Sequence, residues 1–378
     1  MTFLNKILFL LLVLVSSFLT GNSKTLSVSI LAKKMISSAD IVVERGLYTL
    51  NVKGKNYSFK KGDVLHVSKG LFINIGDSIR FKTDQIFLKG NDYVNHFSIR
   101  FDGHAYKYDD DLRMINAPEV VKFVNDVDLD HYVAGVVEGE AGYNLPLEYY
   151  KLQAILCRTY GLKNITRHTK EGFNLCDEVH CQVYHRKCTK NDIIQGTSAT
   201  SGLVVVDDDL NLINTTFHSN CGGQTCNSED VWVSKLGYLR SVKDSFCTSQ
   251  NHARWKKSIP IAKFDSIFLE NGQLDPLELE SVYKFCQDTL RYPHKKLIFS
   301  KLTKMRSDFG LNSTYFSMEK EDDNIVFYGR GFGHGVGLCQ EGGITMTKMG
   351  YGYVDVLKYY YSSIHIVNQQ ALLFFKED

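Results

Sequence analysis

The chain is poor in proline, with five in 378 residues, and nearly free of net charge, with 44 basic against 42 acidic side chains. So little proline excludes long proline-rich linkers. A formal net charge of +2 lacks the basic excess of a dedicated nucleic-acid binder. Several signatures are missing as well. There is no G-x-x-x-x-G-K-[ST] loop to cradle a triphosphate and no H-E-x-x-H to hold a protease zinc. There is no G-x-S-x-G elbow to present a nucleophilic serine. Beyond the amino terminus no segment approaches the ~20 apolar residues that a membrane span needs.

What is present is a globular composition, 44% hydrophobic and 23% charged, which excludes wholesale disorder. The 21 tyrosines and 23 phenylalanines suit β-structure and surfaces that stack on flat ligands. Cysteine numbers nine, an odd count, and none precedes Cys157. At the amino terminus Lys6 precedes an apolar run from Ile7 to Val15, and small polar residues follow through Ser23. That layout predicts a secretory signal peptide over residues 1–23. The mature protein is then expected outside the cytoplasm, in a periplasm or cell envelope, with no membrane span once the leader is cut. Disulfides are permitted there.

The expected fold class is α+β. Alternating runs such as Leu26–Ile30, Tyr48–Val52 and Leu71–Ile75 lie between glycine turns at Gly54, Gly62, Gly70 and Gly76. Period two with frequent turns predicts a β-rich region over 24–115. A mixed α/β region follows over 116–378. Its clearest helix runs from Pro146 to Asn164, with proline in the first turn and an apolar stripe of Tyr149, Leu152, Leu156 and Tyr160. Further helices are expected at 276–290 and 353–361, and a strand at 324–328.

Four constellations carry chemistry. An apolar run from Tyr132 ends at Glu140, and the next helix sets Lys151 and Arg158 on one face. A carboxyl with two cations could act as an acid beside groups that hold a sugar or anion, although most helical cations are merely solvated. His168, Cys176, His180 and Cys181 have soft-ligand spacing for zinc; a disulfide or free thiols fit the spacing too. His185 and Cys188 are further candidates. Phe217–Thr225 is a polar, glycine-rich loop with His218, Ser219, Gly222 and Gly223. Gly329–Gly337 repeats glycine at every second position around His334, which signals sharply bent backbone or close approach to a ligand.

Together these motifs resemble the SpoIID/LytB family of peptidoglycan lytic transglycosylases and amidase enhancers. The resemblance runs through LDHYVAGVVEGEAGYNLPLEYYKLQAILCRTYGL (129–162), CDEVHCQVY (176–184), FHSNCGGQT (217–225), VWVSKLGYLRSV (231–242), FGLNSTYF (309–316), GRGFGHGVGLCQEGG (329–343) and LKYYYSSIHI (357–366). It implies a catalytic domain with a central cleft that cleaves the MurNAc–GlcNAc bond of peptide-stripped glycan strands without water. Glu140, not Glu138, falls on the catalytic glutamate; Lys151 and Arg158 fall on the helix cations that handle substrate. Tyr160, His218, Ser219, Gly222, Gly223, Tyr238, Gly333, His334 and Gln340 are the expected substrate-binding residues, with His334 bonded to substrate or to Glu140. The resemblance also implies a structural zinc on His168, Cys176, His180 and Cys181. Ala141-Gly142 replace the usual Met-Pro, and Cys221 and Cys339 stand where the family has serine. Cys188, Cys226 and Cys247 are left as disulfide candidates, Cys157 and Cys286 as buried thiols in helices. Competing readings are a glycan-binding enhancer of a cell-wall amidase and a zinc hydrolase.

Overall fold

Alternating burial closes the amino-terminal runs into sheets. The computed structural model describes residues 24–76, 79–270, 282–287, 291 and 301–374. Within them the chain forms two compact units, 1–135 with 165–187, and 136–164 with 188–378. The first unit carries a seven-stranded and a six-stranded sheet. The seven-stranded order is Leu175–Cys176, Thr25–Ile30, Val121–Asp128, Asp111–Asn116, Gln85–Gly90, Tyr48–Val52, Lys55–Phe59. The six-stranded order is His104–Asp109, His96–Phe101, Ser38–Arg45, Val64–Ser68, Phe72–Ile75, Ile79–Lys82. Pairing is antiparallel except for the short edge strand Leu175–Cys176, which runs parallel to Thr25–Ile30. Buried rings join the two sheets: Tyr48 meets Phe97 edge-on with centroids 6.4 Å apart, and Phe97 stacks on Tyr108. The four turn glycines all take positive φ, as the turns require.

The unit does not end at residue 115. Val121–Asp128 pairs with both Thr25–Ile30 and Asp111–Asn116, so the sheet is incomplete without it. Residues 165–187 return to supply its edge strand.

The second unit is built around the helix Leu147–Lys163, with Pro146 as its N-cap. Tyr149, Leu152, Ile155 and Leu156 are fully buried and share a core with Leu338, Met346, Val356, Leu357 and Tyr360. Those residues belong to or adjoin the helices Gln340–Lys348 and Tyr353–Tyr360. Leu203–Val206 pairs with His365–Asn368, and Phe217–His218 runs parallel to Leu338–Cys339. A three-stranded sheet, Arg254–Pro260, Asn324–Arg330 and Phe316–Glu321, has its own aromatic core of Phe264, Phe309, Phe316 and Phe327.

The structure adds one helix and changes two expectations. The apolar run ending at Glu140 is the helix Leu129–Ala141, buried from Tyr132 to Glu138. In the expected helix at 276–290 only 282–287 are described, and they are not α-helical; there Phe285 bridges to Met318 and Cys286 is exposed rather than buried. All nine cysteines are free thiols, so none of the disulfide candidates is paired. The expected signal peptide lies outside the described residues. Among the described residues no helix is long and apolar enough to cross a membrane.

Candidate functional site

The two glutamates at the end of the helix Leu129–Ala141 have different surroundings. Glu138 is 7% exposed and accepts from the Thr189 backbone N–H at 2.6 Å and from its hydroxyl at 3.0 Å. It is spent on holding the chain at Thr189. Glu140 lies one turn-end further, half-buried, after the fully buried Val136 and Val137. Gly142, at φ +76, ends the helix in a left-handed step that a side chain would oppose. Gln340 Nε2 donates to the Glu140 carbonyl at 3.3 Å. One of the open carbonyls of the helix end is thereby satisfied, and the start of the helix Gln340–Lys348 is fixed beside Glu140.

Lys151 is half-buried. Its ammonium bonds Glu148 at 2.6 Å, and Glu148 also accepts from the Tyr353 N–H. The Lys151 bond, helped by the Tyr353 N–H, holds the Glu148 carboxyl below its ordinary range. Arg158, expected to handle substrate, has no exposed surface. Its guanidinium donates to the carbonyls of Leu203 and Thr197, each at 3.2 Å. Thr197 lies in the last turn of the helix Asn191–Ala199, where open carbonyls collect partial negative charge. Arg158 thus ties a helix end and a strand to the central helix. Tyr160 is half-buried, and its carbonyl takes the Asn164 N–H and side-chain amide.

The two glycine-rich loops lock together. A Cβ on Gly331 would lie 2.6 Å from the Asn220 carbonyl, and one on Gly222 would lie 2.6 Å from Arg330 Cβ. Only glycine permits this approach, and both residues take positive φ. Asn220 and Phe332 exchange backbone hydrogen bonds across it. Gly333 sits 2.8 Å, by the same measure, from His218 Cβ. Gly223 and Ser219 are half-buried.

Both imidazoles are neutral. Val336 N–H donates to His334 Nδ1, so the proton is on Nε2, which donates to the Phe217 carbonyl at 2.9 Å. His334 is therefore occupied by backbone and not by Glu140. Burial pulls its pKa down to about 4. His218 is 4% exposed and bonds the Val336 carbonyl through Nδ1, and burial pushes its pKa well below the ordinary value. Its Nε2 is buried without a protein partner. The two rings lie 5.3 Å apart, and Trp232, 40% exposed, lies 5.2 Å beyond His334. The sequence motifs did not single out Trp232; its aromatic type in the segment that follows the first glycine-rich loop was the available signal. Tyr238 is a core residue, 8% exposed, whose hydroxyl accepts from the Asn214 N–H.

A cavity of about 710 Å³ opens beside the three-stranded sheet, lined by Trp255, Tyr315, Tyr328 and Arg330 among others. Neither Glu140 nor Lys151 lines it, nor does any expected substrate-binding residue.

In the first unit, His168, Cys176, His180 and Cys181 converge, their ligand atoms all within 4.8 Å of one another. Cys176 Sγ is 3.3 Å from His180 Nε2, His180 Nε2 is 3.3 Å from His168 Nε2, and His168 Nε2 is 3.4 Å from Cys181 Sγ. Both imidazoles aim Nε2 inward. His168 Nδ1 rests on Glu171 at 2.6 Å, the carboxylate–histidine pairing that orients a metal-binding ring. The loop is anchored to the sheet: Asp177 accepts from the Leu31 N–H, Asn174 from the Ser27 N–H. Two sulfurs and two imidazoles in this arrangement fit tetrahedral zinc. His185 and Cys188 are not in the cluster.

Residues 118–206 match the family described as stage II sporulation protein. Stage II sporulation protein D of Bacillus subtilis is 29% identical over 270 residues, covering 66% of this chain and 77% of that protein. An uncharacterized protein of Brachyspira hyodysenteriae is 25% identical over 353 residues, covering 90% and 95%. The amidase enhancer of B. subtilis is 24% identical over 281 residues, covering 60% of this chain and 39% of the enhancer.

Proposed function

Because the chain belongs to the stage II sporulation protein D (SpoIID) family, whose work is related to the cell wall, we propose that it is an exported lytic transglycosylase of peptidoglycan glycan strands. The observation that carries this reading is the pair of glutamates. Glu138 is engaged by Thr189, while Glu140, half-buried next to Val136 and Val137, is set at the helix end beside Gln340.

One carboxyl is enough for this reaction. Ordinary glycosidases need two, because one must protonate the leaving oxygen and another must assist water or attack. Here Glu140 begins protonated and gives its proton to the MurNAc–GlcNAc bridging oxygen. The C1–O bond breaks as the substrate's own C6 hydroxyl attacks C1. The Glu140 carboxylate takes the hydroxyl proton, which restores the acid and leaves a 1,6-anhydroMurNAc end. The nucleophile belongs to the same sugar, so proximity replaces the water-activating base. Strands stripped of stem peptides are the proposed substrate.

Lys151 is proposed to stay near the reacting sugar with Tyr353 and Glu148 as its neighbours, and Arg158 to act as an internal strut. Trp232 and the His334 loop are proposed to form a wall on which a sugar face stacks. The zinc proposed for His168, Cys176, His180 and Cys181 is structural, since the reaction needs no metal-activated water.

A second reading is a glycan-binding enhancer of a cell-wall amidase, and the similarity to the amidase enhancer favours it. Glu140→Gln separates the two. On denuded strands the wild type should release 1,6-anhydro products, and the variant should lose at least a hundredfold in rate. Mass spectrometry of the digest reads this out. Undiminished 1,6-anhydro release by the variant refutes the role of Glu140, and no release by the wild type leaves the enhancer.

A further inference from the structure

The second unit contains a cluster that neither the proposed reaction nor the expected zinc site uses. Cys221, Asp244, Cys247 and Cys339 place their ligand atoms within 4.8 Å of one another, and all four residues are 0% exposed. Cys221 Sγ is 3.4 Å from Cys247 Sγ and 3.2 Å from Asp244 Oδ2. The Cys221 N–H points at Cys339 Sγ, 3.3 Å away. The four come from three segments: the loop 217–225, the turn 244–247 and the residue that precedes the helix Gln340–Lys348.

A buried carboxylate among three sulfurs is costly unless a cation compensates it. Among the described residues no Lys, Arg or His pairs with Asp244. Its oxygens are held by the Tyr360 hydroxyl at 2.8 Å, the Phe246 N–H at 2.9 Å and the Cys221 thiol. The fold also makes room for it. A Cβ on Gly342 would lie 2.5 Å from Asp244 Oδ2. Tyr360 in turn fixes the carboxylate as an outer-shell donor fixes a metal ligand.

We propose that Cys221, Asp244, Cys247 and Cys339 form a closed, four-coordinate zinc site that staples the two glycine-rich loops to the core. The spacing selects a single ion. Zinc–sulfur bonds of about 2.3 Å put tetrahedral sulfurs ~3.8 Å apart, near the spacing seen here. A [4Fe–4S] cluster binds each cysteine to a different iron and would hold the sulfurs further apart. Full burial leaves no open position for water, which makes the site structural. Cys221 and Cys339 stand where the SpoIID resemblance expects serine, so the resemblance does not supply this site. Its role is to fix the backbone that carries His218, Ser219 and Gln340. No bond forms except to the ion, and each thiol that binds releases its proton to solvent.

The test uses the full chain, purified without chelator, with zinc itself as the probe. Plasma mass spectrometry should count about two zinc per chain, and about one in a C176S/C181S variant, since that variant leaves this site intact. Peptide mapping after alkylation of the unreduced, denatured protein should find Cys221, Cys247 and Cys339 all alkylated. A Cys221–Cys247 disulfide, or a folded C176S/C181S variant that carries no zinc, overturns the proposal. Should that variant fail to fold, cobalt-exchanged wild type decides: two tetrahedral thiolate-bound cobalt ions support the site and one overturns it. Glycan cleavage is not part of the readout, so this proposal and the lytic reaction stand or fall separately.

Discussion

At the scale of single residues, Arg158 makes the sharpest claim. An arginine with no exposed surface that donates to two backbone carbonyls supports the fold at that place. Arg158→Met keeps much of the stem but leaves the Leu203 and Thr197 carbonyls short of a donor. Unfolding by urea should show a loss of about 2–4 kcal/mol. Strand binding by the folded fraction should be unchanged. Full stability with weakened binding would return Arg158 to the substrate. The sequence put Arg158 on a helix face with Lys151, and both are there, but helical spacing alone cannot tell a buried face from a wet one. The helix Leu147–Lys163 is enclosed on most sides, so a cation that would ordinarily be solvated is taken inside with its partners. The distinction between Glu138 and Glu140 has the same character: both lie in one motif, and the bonds from Thr189 to Glu138 are made by a residue about fifty positions away.

Among elements, the locked glycine loops set a pH dependence. They hold His334 and His218 neutral, with pKa values below the unfolded imidazole's 6.5 or so. In the window between those values the unfolded chain binds more protons than the native one, so stability rises with pH. The contribution of these rings is complete above about pH 6.5 and is lost as the pH falls towards 4. For His334 alone the loss between pH 7 and pH 5 is about 2 kcal/mol. Thermal unfolding from pH 7 to pH 5 should show it, and His334→Asn should flatten that slope. Identical slopes in the two proteins would contradict the neutral assignment. The loops were legible as unusual backbone, because five alternating glycines have few other uses. Their partner was not, since the Gly331–Asn220 approach joins residues more than a hundred apart. The helix Leu129–Ala141 escaped notice for another reason. It is buried around nearly its whole circumference from Tyr132 to Glu138, so it has no polar face to reveal the helical period.

On the scale of the whole molecule, local spacing and long-range assembly divide what the sequence could say. His168, Cys176, His180 and Cys181 lie within fourteen residues, and the fold brings those four together. Cys221, Asp244, Cys247 and Cys339 span more than a hundred, and Asp244 had no mark in the sequence. Their meeting depends on the parallel pairing of Phe217–His218 with Leu338–Cys339. The odd cysteine count that suggested disulfides corresponds to nine thiols, eight of them buried and none bridged. The near-neutral charge with which the sequence opened argues against a nucleic-acid partner, and the partner proposed instead is a peptidoglycan glycan strand. The central claim is that this strand is cleaved without water. Digestion of denuded glycan strands in ¹⁸O-labelled water tests it most directly. The account predicts 1,6-anhydroMurNAc ends free of ¹⁸O; reducing ends that carry ¹⁸O would show hydrolysis and contradict it.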